Sequence, residues 1–262
     1  MLRHRLANQT FMHNQNSKLS VIIITLNEAE NIRACLESVA WADEVIVVDS
    51  GSTDDTLSIC AELGAKVLIN REWQGFGFQK NLALQQATGD WILSLDADER
   101  ISPALEQLIK DKISAPDADG YLFPRQAYFL GKAMRYGGWW PDYVLRLFRR
   151  GAGEFSQVLV HENVLLIGKV EKLREPIIHY SYVSLEQLLD KINKYSSAGA
   201  KQAQRKNKRG GLGRALARSC WTFFRAYCLR AGFLDGSAGL IAAISKAEET
   251  YYRYLKLSFL PK

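Results

Sequence analysis

The chain has 262 residues, 47% hydrophobic and 24% charged, which suits one large domain with an appendage and excludes wholesale disorder, a collagen-like fibre or a multispan membrane protein. Its net charge of +6 is unevenly held: eleven Lys or Arg and no Asp or Glu fall between Lys191 and Leu234, so the remainder is net acidic. Four scattered cysteines, with no C-x-x-C pair, exclude a disulfide scaffold and a zinc site of that spacing, and make reduced thiols in a cytosolic setting the expectation.

Residues 1–18 never develop an apolar signal-peptide core and read as a flexible N-terminus. Leu19–Leu26 is an almost continuous β-branched run, the pattern of a strand buried on both faces, and Glu28–Val39 follows with helical spacing at Ile32, Leu36 and Val39. A second unit repeats this order, with a strand at Glu44–Asp49, a turn at Ser50–Thr53 and a helix over Asp54–Leu63 ended by Gly64. Lys66–Ile69 reads as a third strand, Phe78–Ala87 as a helix, Trp91–Leu95 as a fourth strand, and Ser102-Pro103 as the cap of a helix to about Ile113. Short strands follow at Tyr121–Arg125, Val144–Phe148, Val164–Ile167 and Ile177–Tyr182, and the chain then reads helical from Ser184. The expected architecture is α/β: a mostly parallel sheet covered by helices on both faces over 19–183, and a helical basic extension over 184–262.

In such a fold ligands bind at the carboxyl ends of the strands. Three polar clusters fall there: Thr25-Leu26-Asn27-Glu28, Asp49-Ser50-Gly51-Ser52, and Asp96-Ala97-Asp98. Two carboxylates two residues apart at a strand end can bind a hard divalent cation, which in turn neutralises a diphosphate. Gly75-Phe76-Gly77 lacks the strand-before, helix-after context of a dinucleotide fingerprint, which excludes a Rossmann dehydrogenase.

Taken together and in this order, these blocks resemble the family 2 glycosyltransferases of the GT-A fold, which transfer sugars from nucleotide-sugar donors with inversion. The resemblance implies that Thr25, Asn27 and Glu28 lie against the nucleotide, that Asp49 with Ser50 holds base or ribose, and that Asp96 approaches the ribose or diphosphate. It also implies that Asp98 ligates Mg2+ or Mn2+, and that Gln79 and Lys80 contact the nucleotide. An inverting transfer further requires a general base on the acceptor side. Glu162, in Val160-His161-Glu162, resembles the family's base, with H-E in place of the usual E-D or D-E pair; Asp142 is the rival. His179 resembles a histidine that completes metal binding in many such enzymes, a nitrogen ligand that favours manganese. Trp139 and Trp140, in G-G-W-W-P, offer indole rings to an acceptor sugar, and Asp142 and His161 are the further acceptor-side candidates.

Between Gly213 and Phe233, Arg214, Arg218, Arg225 and Arg230 interrupt Leu216, Trp221, Phe223, Phe224 and Tyr227. This is too broken to span a bilayer but suits a helix lying in an anionic membrane surface. The whole chain resembles bacterial lipopolysaccharide inner-core glucosyltransferases. That resemblance implies a UDP-sugar donor, UDP-glucose first, a lipid-linked core heptose as acceptor, and a peripheral location on the cytoplasmic membrane face. Another lipid-linked or capsule glycan is the alternative acceptor. Nucleic acid is the partner of a different class that the basic stretch would suit, but the carboxylate-rich strand ends repel phosphate and no nucleic acid is expected.

Overall fold

The computed structural model describes residues 17–156 and 163–261. These fall into two compact units that interleave along the chain: one takes residues up to Ala97, Ile101–Leu122 and Leu145–Lys172, the other Asp98–Arg100, Phe123–Val144 and Leu173 onward.

In the first unit four parallel strands, β1 (Leu19–Thr25), β2 (Glu44–Asp49), β3 (Lys66–Ile69) and β4 (Trp91–Asp96), lie in the order β3-β2-β1-β4. The chain winds outward from β1 to β3 and then returns to the other side of β1, so the strand order reverses between β1 and β4, where doubly wound sheets open a binding crevice. Ile22, Ile46, Val48 and Ile92 share one face and pack against Ala83 of α3 (Phe76–Gln86), Ala87 just beyond it, and the aromatic pair Phe148 and Phe155. Val21, Ile23, Val47 and Leu93 alternate to the other face and are equally buried, so these strands are apolar almost throughout. Helix α1 (Ala29–Glu37) follows β1 and α2 (Thr56–Glu62) follows β2. Helix α3 starts two residues before the sequence expectation because Gly75, at φ 110, turns the chain into it. The Ser102 hydroxyl accepts from Leu105 N at 3.2 Å and Pro103 opens α4 (Pro103–Ser114), as the sequence predicts. The C-terminal part of β8 (Asp142–Arg149) runs antiparallel to β4, pairing Leu93 with Leu147. A hairpin of β9 (Gly153–Phe155) and β10 (Val164–Leu166) follows, and β11 (Val170–Lys172) pairs with the start of β6 (Gly120–Phe129).

In the second unit the remainder of β6 pairs with the short β7 (Lys132–Ala133) and, in parallel, with β12 (Ile177–Tyr182), whose other side meets β5 (Glu99–Arg100) antiparallel. Helices α5 (Leu185–Arg205) and α7 (Gly236–Phe259) cover these strands: Leu188 and Ile192 from α5 and Ala238 and Ala242 from α7 enclose Phe129 and Met134. Helix α6 (Leu212–Phe224) continues into a π-helical stretch, Arg225–Leu229, and a 3-10 turn, Gly232–Asp235, before α7. The turn needs glycine for space, since a Cβ at Gly239 would collide with the carbonyl oxygen of Gly232. Among the described residues no single helix is long and apolar enough to cross a membrane; 212–229 and 232–259, bent by 71°, pass that test only as a pair.

Candidate functional site

Strand register brings the predicted clusters of the first unit to one edge: Thr25 lies beside Asp49, and Ile24 beside Asp96. Asp49 is fully buried, and its two oxygens organise the loop after β2. Oδ1 accepts from Gly51 N and Ser52 N, both at 2.8 Å, while Oδ2 accepts from the hydroxyls of Thr25 and Ser52. A buried carboxylate needs such donors, and an Asp at a turn supplies the loop its shape. Asn27 sits at φ 55; its backbone N–H donates to Ser52 Oγ at 2.8 Å, and its side-chain oxygen accepts from Thr53 N at 2.8 Å. Glu28 N donates to Thr56 Oγ1 at 2.9 Å, so the loops after β1 and β2 are stitched together while Asn27 remains exposed. Gln79, fully buried, donates to Ser50 Oγ at 3.2 Å and to the Asn70 carbonyl at 3.1 Å. In this structure it braces Ser50 from within the protein.

Asp96 ends β4 between two nearly buried cations. Lys80 Nζ lies 2.9 Å from Oδ1, and Arg146 donates to Oδ2. Lys80 and Arg146 expose only 4% and 6% of their side chains, whereas Asp96 exposes 31%. Burial pushes the Asp96 carboxyl upward, but the charges of Arg146 and Lys80 outweigh it and hold it well below the usual carboxylate range. Lys80 therefore meets Asp96 directly, and it also stands 5.7 Å from the Phe155 ring.

In the second unit β12 places His179 opposite Glu99, the residue next to Asp98. His179 Nε2 lies 3.3 Å from Asp98 Oδ2, and both side chains are 18% exposed. The other ring nitrogen, Nδ1, is 3.1 Å from Ser181 Oγ, which fixes the ring's orientation. Burial lowers the His179 pKa, but the hydrogen bond and charge of Asp98 more than compensate, and the net shift is upward. A converging carboxylate oxygen and imidazole nitrogen, with the second ring nitrogen anchored, form a donor set that fits a divalent cation, manganese better than magnesium. Among the described residues no cluster of three or more His, Cys, Asp or Glu could hold a metal ion, so further ligands would have to come from the bound diphosphate or water.

His161 and Glu162 lie outside the described residues; the β9–β10 hairpin flanks them, with Ser156 N donating to the Asn163 carbonyl at 2.9 Å. Asp142 is held by Arg125, whose Nε donates to it at 3.0 Å and whose Nη2 makes a second contact. Trp139 is packed against Phe129 and Tyr182, with Lys246 Nζ 4.4 Å from its ring centroid, while Trp140 lines an open cleft. The sequence reading did not single out Arg146 or Arg125. Arg146 carried a signal, a charged residue inside the apolar run Val144-Leu-Arg-Leu-Phe148; Arg125 gave none beyond following Pro124.

Residues 20–161 match the family model described as "Glycosyl transferase family 2". An uncharacterised glycosyltransferase of Rickettsia felis is 34% identical, the match covering 92% of this chain and 89% of that protein. The lipopolysaccharide core biosynthesis glycosyltransferase LpsC of Rhizobium meliloti is 31% identical over 90% of this chain and 93% of its own length. Among solved structures, that of S. aureus TarS residues 1–349 in complex with UDP superimposes with a TM-score of 0.49, at 20% identity, over 89% of this chain and 91% of that one.

Proposed function

Since the chain belongs to glycosyl transferase family 2, we propose that it transfers a hexose, glucose from UDP-glucose, with inversion onto a heptose of a lipid-linked lipopolysaccharide core. The observation that carries the reading is the pairing of Asp98 with His179, two residues far apart in sequence whose donor atoms converge at 3.3 Å. Strand ends with an exposed Asn27 and a doubly held Asp96, in loops shaped by the buried Asp49, supply fixed acceptors for a nucleoside. The 31% identity to a core-biosynthesis enzyme across nearly its full length supports the lipopolysaccharide acceptor.

In this mechanism the acceptor hydroxyl oxygen bonds to the anomeric carbon while the bond from that carbon to the diphosphate oxygen breaks. Glu162 takes the hydroxyl proton and UDP leaves. Asp98 and His179 would hold a divalent cation, which supplies positive charge against the leaving diphosphate. Lys80 and Arg146 keep Asp96 ionised and fixed at the strand end.

Calorimetric titration of UDP into the full-length protein tests the donor site: binding is expected with Mn2+ and largely absent in its absence, and no binding under either condition overturns the reading. Glu162→Gln is expected to lower kcat about 10²–10⁴-fold with little change in KM for the donor; an equal loss of donor affinity would make the residue structural.

The protein is further proposed to work at an anionic membrane surface. Leu212, Leu216, Trp221 and Phe224 on α6 are 46–57% exposed and stand among Arg214, Arg218 and Arg225, the composition of an interfacial helix. In flotation with anionic liposomes, the Trp221→Ser/Phe224→Ser protein is expected to bind about tenfold more weakly or worse, because each ring forfeits roughly 1 kcal/mol or more of apolar burial. Undiminished flotation would remove α6 as the contact.

A further inference from the structure

Within the second unit, the segment after β7 folds around a cleft of about 430 Å3 walled by Arg135, Tyr136, Gly138, Trp140, Pro141 and Arg230. Its volume is that of a small-molecule site. The walls are fixed from behind. Asp235, 4% exposed, accepts from the backbone N–H of Arg135 at 3.2 Å and of Tyr136 at 2.9 Å, and its own carbonyl accepts from Lys132 Nζ at 2.5 Å. Gly137 N donates to the Arg230 carbonyl at 2.9 Å, which ties the loop to the turn before α7. Gly138, at φ 82, is a glycine for a reason of space: a Cβ there would collide with the Arg230 guanidinium, which lies across it.

The charge of this cleft is unbalanced. Arg135 and Arg230 are both exposed, and neither guanidinium meets a carboxylate among the described residues. The carboxylate behind them, Asp235, is occupied by backbone donors. Lys246 adds a third cation, its Nζ 3.4 Å from the Gly137 carbonyl. Burial and then the nearby charge of Arg230 push the Lys246 pKa down to about 8, against an opposing pull from Glu249. Guanidinium groups present planar donor pairs that match the oxyanions of phosphate and carboxylate, and an indole ring offers an apolar plate to the C–H face of a pyranose.

We propose that this cleft recognises an oxyanion, phosphate or carboxylate, carried by a sugar of the acceptor, with Arg135 and Arg230 holding the anion and Trp140 the sugar ring. Only the word acceptor rests on the glycosyltransferase reading; the binding itself does not. The site would then select acceptors already phosphorylated or bearing an acidic sugar, which places a sugar-phosphorylating or acidic-sugar-adding reaction before this one.

The test uses full-length protein saturated with UDP and Mn2+, so that the donor site is filled, and follows binding of glucose 6-phosphate, glucuronate and glucose by saturation-transfer NMR. At least one anionic sugar is expected to bind and glucose to bind at least about tenfold more weakly; which anion binds identifies the group. Arg135→Gln/Arg230→Gln should weaken the anionic sugar about ten- to hundredfold per guanidinium removed, while UDP affinity stays as in the wild type. Trp140→Ala should weaken glucose 6-phosphate more than it weakens inorganic phosphate. Equal binding of glucose and the anions, no binding of either anion, or an unaffected double variant overturns the proposal. If UDP fails to bind the wild type, the donor reading falls alone, and the anionic-sugar titration is read on the same sample without it.

Discussion

Replacing Asp96 with Ala is expected to destabilise the fold by about 3–5 kcal/mol at pH 7, because Lys80 and Arg146 would remain nearly buried without the carboxylate that both of them meet. The partial exposure of Asp96 places the effect toward the lower end of that range. For a chain of this length such a loss lowers the thermal midpoint by roughly 10 °C. Urea unfolding at neutral and acid pH supplies the second half of the test. The folded carboxyl titrates well below its unfolded value near 3.8, so the unfolded chain binds a proton first as pH falls. Stability contributed by the pair of cations is therefore fully present above about pH 4 and is lost as pH falls from there toward the depressed folded pKa. The difference between wild type and Asp96→Ala should narrow in acid; a difference that is absent at pH 7, or constant down to pH 2, would show that the cations do not depend on Asp96.

Asp98→Asn is expected to act on turnover instead. Loss of a charged ligand should lower kcat by about 10²–10³ and reduce UDP affinity in Mn2+ to its metal-free level, with the circular dichroism spectrum unchanged. His179→Ala should give the same pattern more weakly, since an imidazole contributes no charge to the cation. Full activity of Asp98→Asn at saturating Mn2+ would remove the aspartate from the metal's coordination. The two substitutions separate neighbouring carboxylates by function, one read in unfolding and the other in metal-dependent binding.

Much of this was legible in the sequence because the signals are local. The β-branched run at Leu19–Thr25, the apolar strand ending in Asp96, and Ser102-Pro103 each state their own conformation through propensity and capping. Less legible were the partners brought in by strand pairing. Nothing near Asp96 in sequence points to Lys80 or Arg146; the only hint is a charge in an otherwise apolar β8, where a lone Arg must find an anion. The resemblance puts Gln79 against the nucleotide, but α3 begins earlier than its pattern suggested, and the side chain is buried against Ser50 and Asn70. The tail reads as helical from Ser184, but the sequence did not show the close approach of Gly232 and Gly239 that sets the turn between α6 and α7. The cleft was invisible in the sequence because Arg135 and Arg230, far apart in the chain, are brought together by tertiary bonds such as those from Gly137 N to the Arg230 carbonyl and from Tyr136 N to Asp235.

The interleaving of the two compact units has a consequence for how this protein emerges from the ribosome. Strands β1 to β4 are contiguous and joined by short crossovers, so they can pair as soon as residue 96 is free. The outer edge of β4 must wait for Leu147 and Arg149 of β8, and the strands of the second unit wait for α5 and α7. During that interval the nascent chain presents a flat, apolar strand edge, the kind of surface that pairs with other chains. A chain cut at residue 183 would retain that unit's strands but lose Leu188, Ile192, Ala238 and Ala242 from its core, and belongs with the aggregates. Coexpression with a holdase is therefore expected to raise the soluble yield of the intact protein.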